Sequence, residues 1–173
     1  TQLTQATLTP KNEEVVDFAG SQFIIPDTRI KPALGVAQIK AHGSVASALN
    51  TLNYPPMRVV DRTQFLPNTV NGQASIEAKV QFPVMRGAPP DQIKYQASAI
   101  IRDAKSNILI RDLNISADKV DILATNEALQ IDTTAEIKGI PFKSAFRMPI
   151  GKNRGDAPAL LQSKVIISKN LID

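Results

Sequence analysis

The stretch Ala74-Ser75-Ile76-Glu77-Ala78-Lys79-Val80-Gln81-Phe82 alternates without interruption between apolar and polar side chains. Successive side chains of a strand point to opposite faces. Ala74, Ile76, Ala78, Val80 and Phe82 therefore share one face, and Ser75, Glu77, Lys79 and Gln81 share the other. Such a strand is half-buried and belongs in an antiparallel sheet with one wet side. The pattern returns in Ile93-Lys94-Tyr95-Gln96-Ala97-Ser98-Ala99 and in Leu129-Gln130-Ile131-Asp132-Thr133-Thr134-Ala135-Glu136-Ile137-Lys138. The fold class that follows is mainly β: a twisted, curved antiparallel sheet, a repeating β-groove or open barrel-like form, with one short helix.

Working outward, strands are expected at residues 3–8, 14–19, 21–25, 33–41, 70–84, 93–104, 107–117, 119–124, 128–138, 141–149 and 161–169. Turn chemistry separates several of them, at Pro89-Pro90-Asp91, Ser106-Asn107, Gly139-Ile140-Pro141 and the loop from Gly151 to Pro158. Pro26, Pro83, Pro141 and Pro149 fall at expected strand ends, where a missing N–H is tolerated. The stretch from His42 to Leu52 breaks the rhythm. Ser44 can cap a helix there, Val45, Ala48, Leu49 and Leu52 would form its apolar stripe, and Pro55-Pro56 would stop it.

Size then matters. About ten strands at ~4.8 Å spacing present an apolar face on the order of 1,200 Å². A helix of ~9 residues covers roughly 150 Å² of it. Either the sheet curls onto itself, or an apolar trough stays open.

The 173 residues contain 43% apolar but only 5% aromatic side chains and no Trp, so the interior is built from Ala, Val, Ile and Leu. The net charge of +4 arises from 20 basic and 16 acidic residues without a dense run. With no basic stripe and no interleaved aromatics, nucleic acid is not an expected partner. The absence of cysteine excludes disulfides, thiolate metal sites and a Cys nucleophile. The chain starts without Met and stops just after a strand, and residues 1–173 read as a single segment of a larger repetitive protein.

No constellation points to catalysis. His42 is the only histidine, and Ser44 and Ser47 near it are natural helix-start residues. The carboxylates of Glu13, Glu14, Asp17, Asp112, Asp118 and Asp121 fall mostly on polar strand edges, without calcium-loop spacing or a His ligand set. The expectation is a protein that is not an enzyme and holds no cofactor or metal.

The order of parts also resembles a family. Phe23-Ile24-Ile25-Pro26-Asp27 precedes an alternating strand that ends at His42-Gly43-Ser44. The small helix and Tyr54-Pro55-Pro56 follow, and Val70-Asn71-Gly72-Gln73-Ala74 opens a long strand ending in Phe82-Pro83-Val84. Leu113-Asn114-Ile115-Ser116-Ala117-Asp118 then precedes Leu129-Gln130-Ile131-Asp132 and Ile137-Lys138-Gly139-Ile140-Pro141-Phe142. From about residue 15 to 149 this resembles the AsmA-like envelope proteins of Gram-negative bacteria, in particular the YhdP-type branch related to TamB. The resemblance implies a periplasmic segment of a long, inner-membrane-anchored protein whose apolar β-groove moves phospholipid towards the outer membrane.

On that basis the expected groove lining is Ile76, Ala78, Val80, Phe82, Ile93, Tyr95, Ala97, Leu129, Ile131 and Ile137. The expected partners are phospholipid acyl chains, neighbouring β-groove segments of the parent protein and other envelope proteins. The alternative is a structural or interaction module that pairs through its sheet edges and carries no lipid.

Overall fold

The computed structural model describes residues 6–9, 14–52, 69–110, 113–150 and 155–166. Their strands are β1 (Thr7–Leu8), β2 (Val16–Asp17), β3 (Gln22–Ile24), β4 (Leu34–Ser44), β5 (Asn71–Pro83), β6 (Lys94–Ile110), β7 (Leu113–Thr125), β8 (Ala128–Ile137), β9 (Ile140–Pro149) and β10 (Leu160–Val165); the helix α1 spans Val45–Leu52. All the strands join one antiparallel sheet in the order β1-β2-β4-β5-β6-β7-β8-β9-β10, with β3 beside β2 on the same edge of β4. The sheet is curved and does not close. The mainly β fold expected from the alternation is therefore the fold observed. Among the described residues, no helix is long and apolar enough to cross a membrane.

Local chemistry explains the up-and-down path. Lys138 and Gly139 both have positive φ, 52° and 78°, and link β8 to β9. A two-residue turn of that conformation matches strand twist and forces an antiparallel hairpin. Asn126 and Glu127 link β7 to β8, where the Thr125 hydroxyl accepts from the N–H groups of Glu127 and Ala128. The Asn126 amide also reaches across to the start of β6. It accepts from the Tyr95 N–H at 2.7 Å and donates to the Ile93 carbonyl at 2.8 Å. One side chain thus fixes where β6 begins.

α1 starts where the sequence places it. The Ser44 hydroxyl accepts from the Ser47 N–H at 3.3 Å, satisfying one of the free N–H groups of the first turn. Val45 and Ala48 are buried against Ala74, with Leu49, Val70, Ile76 and Ile101 packed around them. The helix therefore lies on the apolar face of the sheet, over one end of β5 and β6. A second cluster, Ala104, Ala117 and Ala135, continues this packing across β6, β7 and β8.

Two expected boundaries are corrected. The turn expected at Ser106-Asn107 and the break at Asp118 are not strand ends: β6 runs on to Ile110, and β7 spans Leu113–Thr125 in one piece. Both places are irregularities inside strands. The β5–β6 register skips between Asn71↔Lys105 and Gln73↔Arg102, so β6 carries an extra residue there. The β7–β8 register skips between Ser116↔Glu136 and Lys119↔Thr134, so β7 carries one as well. Asp103 takes up the first bulge with φ 52°, a conformation that Asp tolerates better than most residues. At Ser106 the side chain replaces ladder bonds, with its hydroxyl donating to the Thr69 carbonyl and accepting from the N–H groups of Ile108 and Leu109. Residues 3–5, 111–112, 151–154 and 167–169 of the expected strands and loop, and the expected helix stop at Pro55-Pro56, lie outside the described residues.

Candidate functional site: the apolar face of the sheet

Register decides which side chains share a face. Ala41 pairs with Ile76, Ile76 with Ala99, Ala99 with Ile122, Ile122 with Ile131, Ile131 with Phe146 and Phe146 with Leu161. Paired residues in an antiparallel ladder point the same way, so this row runs without a polar residue from β4 to β10. The next row is Ile39, Ala78, Ala97, Ala124, Leu129 and Met148, again all apolar. Beyond it Ala37, Val80 and Tyr95 align, then Gly35 and Phe82.

The expected lining residues are largely brought together. Ile76, Ala78, Val80, Phe82, Tyr95, Ala97, Leu129, Ile131 and Ile137 stand on this face and are half-buried. Ile93 is half-buried too, but it precedes β6 by one residue and has no ladder partner. Ala99, the end of the alternating stretch from Ile93, belongs to the same surface, and so do Ile39, Ile122, Ala124, Phe146 and Met148, which the expected lining did not include. The signal was available, because each continues a period-2 alternation. What the sequence lacked was the relative phase of neighbouring strands, which only register supplies.

The face has recognisable limits. At one end α1 sits on Ala74 and Ile101. At the other, the Phe23 and Phe82 rings stack with centroids 5.9 Å apart. Phe23 lies over Gly35, where an added Cβ would come within 3.1 Å of its ring. Near β10 a short polar interruption crosses the face. Thr133 pairs with Ser144 and Ser144 with Ser163, whose hydroxyls are 2.6 Å apart. The Thr133 hydroxyl donates to the Lys119 carbonyl at 2.8 Å. Two concavities of about 370 and 600 Å³ lie beside the start of β5, one reaching the far part of β6 and the start of β7 and the other the junction of β4 with α1, and they share only Asn71 among their lining residues.

Tyr95 reports the character of the apolar face. Partial burial withdraws its phenol from water and raises its pKa above the ordinary value. The neutral form is thus favoured in the folded chain. The stabilisation is fully present below the unfolded-state pKa and is lost as pH rises through the folded-state value. An alkaline titration followed by tyrosinate absorbance is expected to show a late component that Tyr95→Phe removes. An unshifted Tyr95 would place its ring in open solvent.

The opposite face is wet and charged. Ser75, Glu77, Lys79, Lys94, Gln96 and Ser98 are exposed. Lys40–Glu77 (3.8 Å), Lys119–Asp121 (2.8 Å) and Arg147–Asp132 (3.0 Å) pair across it. Asp121 stands directly opposite Asp132, and the two cations offset that repulsion. His42 is exposed here within β4, its Nδ1 3.1 Å from the Ser75 hydroxyl. Among the described residues, no group of three or more His, Cys, Asp or Glu side chains is placed to hold a metal.

Comparison with protein-family models, with curated proteins and with solved structures gives no match.

Proposed function

We propose that this chain is a periplasmic segment of an envelope lipid-transport protein, binding phospholipid acyl chains along the apolar face of its sheet. The observation that carries the reading is the pair of unbroken apolar rows through Ile76 and Ala78, which extend well beyond the part of the sheet that α1 covers. A broad apolar surface that α1 leaves uncovered among the described residues marks an interaction site in a folded protein. An acyl chain suits it because binding needs only burial of methylenes, worth ~0.8 kcal/mol each when fully enclosed. The alanines 78, 97, 99 and 124 keep the middle of the face shallow, so a chain lying across the strands meets larger side chains only at its sides. No reaction and no cofactor enter this reading. The resemblance to AsmA-like proteins supports the cellular setting, and the neighbouring β-groove segments of such a protein and other envelope proteins would be its macromolecular partners.

A second reading has its own support. β10 is exposed along its whole length and pairs only with β9 among the described residues, which favours a module that joins other β-structure through its edge.

The test is lipid extraction and native mass spectrometry on the purified chain, before and after incubation with phospholipid vesicles. The acyl-binding reading expects phospholipid adducts that disappear on unfolding. A chain that carries no lipid and takes none up leaves the edge-pairing module in its place.

A further inference from the structure

The residues of β10, which pairs only with β9 among the described residues, read nearly the same in both directions with Ile166 added. Leu160-Leu161-Gln162-Ser163-Lys164-Val165-Ile166 runs apolar, apolar, polar, Ser, polar, apolar, apolar. Leu160, Leu161, Val165 and Ile166 are 53%, 65%, 63% and 44% exposed, so this edge leaves large apolar side chains in water at both ends of a polar centre. The opposite edge differs, since it is broken into the short strands β1, β2 and β3. Edge strands are normally blunted by charge, proline or shortness. β10 has a single lysine and no proline.

We infer that β10 pairs antiparallel with β10 of a second copy of this chain, about a two-fold axis at Ser163. Three conditions meet in that register. The first is hydrogen bonding. The Ile166 N–H donates to the Pro141 carbonyl of β9. Backbone groups alternate sides along a strand, so residues 162 and 164 also face β9, while Leu161, Ser163 and Val165 present their N–H and C=O groups outward. Only registers that oppose these three residues to one another form a ladder. The second condition is the face. The same registers, and no others, keep Leu161 and Val165 of both copies on the side that holds Phe142 and Phe146. The third is side-chain matching. Centring on Ser163 sets Leu161 against Val165, Leu160 against Ile166 and Gln162 against Lys164. Moving the centre to Lys164 opposes two ammonium groups, and moving it to Gln162 sets Leu161 against Ser163 and Leu160 against Lys164.

The pairing is isologous and closes after two copies. It joins the two apolar faces into one surface, and the Ser144–Ser163 hydroxyl pair meets its counterpart at the axis. The strand is short, and the area it buries falls below that of a standard stable interface. The dimer is therefore concentration-dependent. It is independent of whether the apolar face carries lipid.

The chain has no cysteine, so single-cysteine variants report on register directly. Opposed residues in a hydrogen-bonded antiparallel pair have Cα atoms about 5.5 Å apart, within the range that a disulfide spans. Under mild oxidation, Ser163→Cys is expected to cross-link to itself. Leu161→Cys alone should not, because its counterpart lies four residues along the partner strand, but an equal mixture of Leu161→Cys and Val165→Cys should. Sedimentation of the unsubstituted chain should show a monomer–dimer equilibrium that Leu161→Lys with Val165→Lys abolishes, while circular dichroism stays unchanged. A chain monomeric at every concentration, or Ser163→Cys cross-linking no faster than Leu161→Cys alone, overturns the proposal. Cross-linking of a 164–164 or 162–162 pair instead overturns the register.

Discussion

Replacing Ile76, Val80 and Ile131 together by Asp is expected to abolish acyl-chain binding while leaving a folded sheet. Ile76 stands between Ala41 and Ala99, Val80 between Ala37 and Tyr95, and Ile131 between Ile122 and Phe146. Each carboxylate would enter an apolar row with no cation opposite it. The side chains are only half-buried, so each carboxylate can tilt towards water in the empty chain. A bound acyl chain removes that escape, and burying an unpaired charge then costs more than the methylenes contribute. At ~0.8 kcal/mol per enclosed methylene, displacing two or more methylenes at each site lowers affinity by more than about tenfold per substitution. Lys79→Ala, on the exposed opposite face, is the matched control and should bind as the parent does. The measurement is lipid stoichiometry by native mass spectrometry, with far-UV circular dichroism recorded on the same samples. A folded triple variant that binds as well as the parent would remove the apolar face from the binding account.

The second large effect concerns the fold. Gly72→Ala is expected to cost about 2–4 kcal/mol, because it combines backbone strain with overpacking. Gly72 has φ 146°, where an L side chain is strained, and an added Cβ would lie 2.7 Å from the Arg102 carbonyl oxygen. That oxygen belongs to β6 beside its bulge and cannot swing away as a flexible side chain would. Gly139→Ala provides the comparison. Gly139 also has positive φ, 78°, but nothing lies within 4 Å of its added Cβ, so it loses only about 1 kcal/mol of conformational preference. Urea midpoints of the two variants separate the cases. Equal losses would show that the close approach of β5 to the β6 bulge is not what holds that end of the sheet.

Gly72 also shows where the sequence was legible and where it was not. Alternation over residues 74–82 and 129–138 identified the strands and their apolar sides, because period 2 puts Ile76 and Val80 on one side of their strand and Leu129 and Ile131 on one side of theirs. Ser44 and the small residues after it marked α1. The bulges were opaque for a physical reason. In β6 the apolar positions run Tyr95, Ala97, Ala99 and Ile101, then change phase to Ala104. In β7 they run Ala124, Ile122 and Val120, then change phase to Ala117 and Ile115. A change of phase reads as the end of one strand and the start of another. Here an extra residue in each strand absorbs it at nearly the same level, so Ala104 still faces Ala117 and both join Ala135 in the core. Asp103 and Asp118, standing at the two phase changes, were the available signal. The row of Thr133, Ser144 and Ser163 was hidden differently: three unrelated strands each contribute one hydroxyl, and only register aligns them.

The most direct measurement of the central claim uses Tyr95 as its own probe. The chain has two tyrosines and no tryptophan, so Tyr54→Phe leaves Tyr95, on the apolar face beside Val80, as the only strong emitter. Phospholipid brominated along its acyl chains should quench Tyr95 emission on binding, whereas unbrominated lipid of the same headgroup should not. Bromine quenches only at short range, so this pattern requires acyl chains against the row of Ala37, Val80 and Tyr95. Lipid that binds by mass spectrometry yet leaves Tyr95 equally bright with brominated and unbrominated chains would contradict the account, placing the acyl chains away from this face.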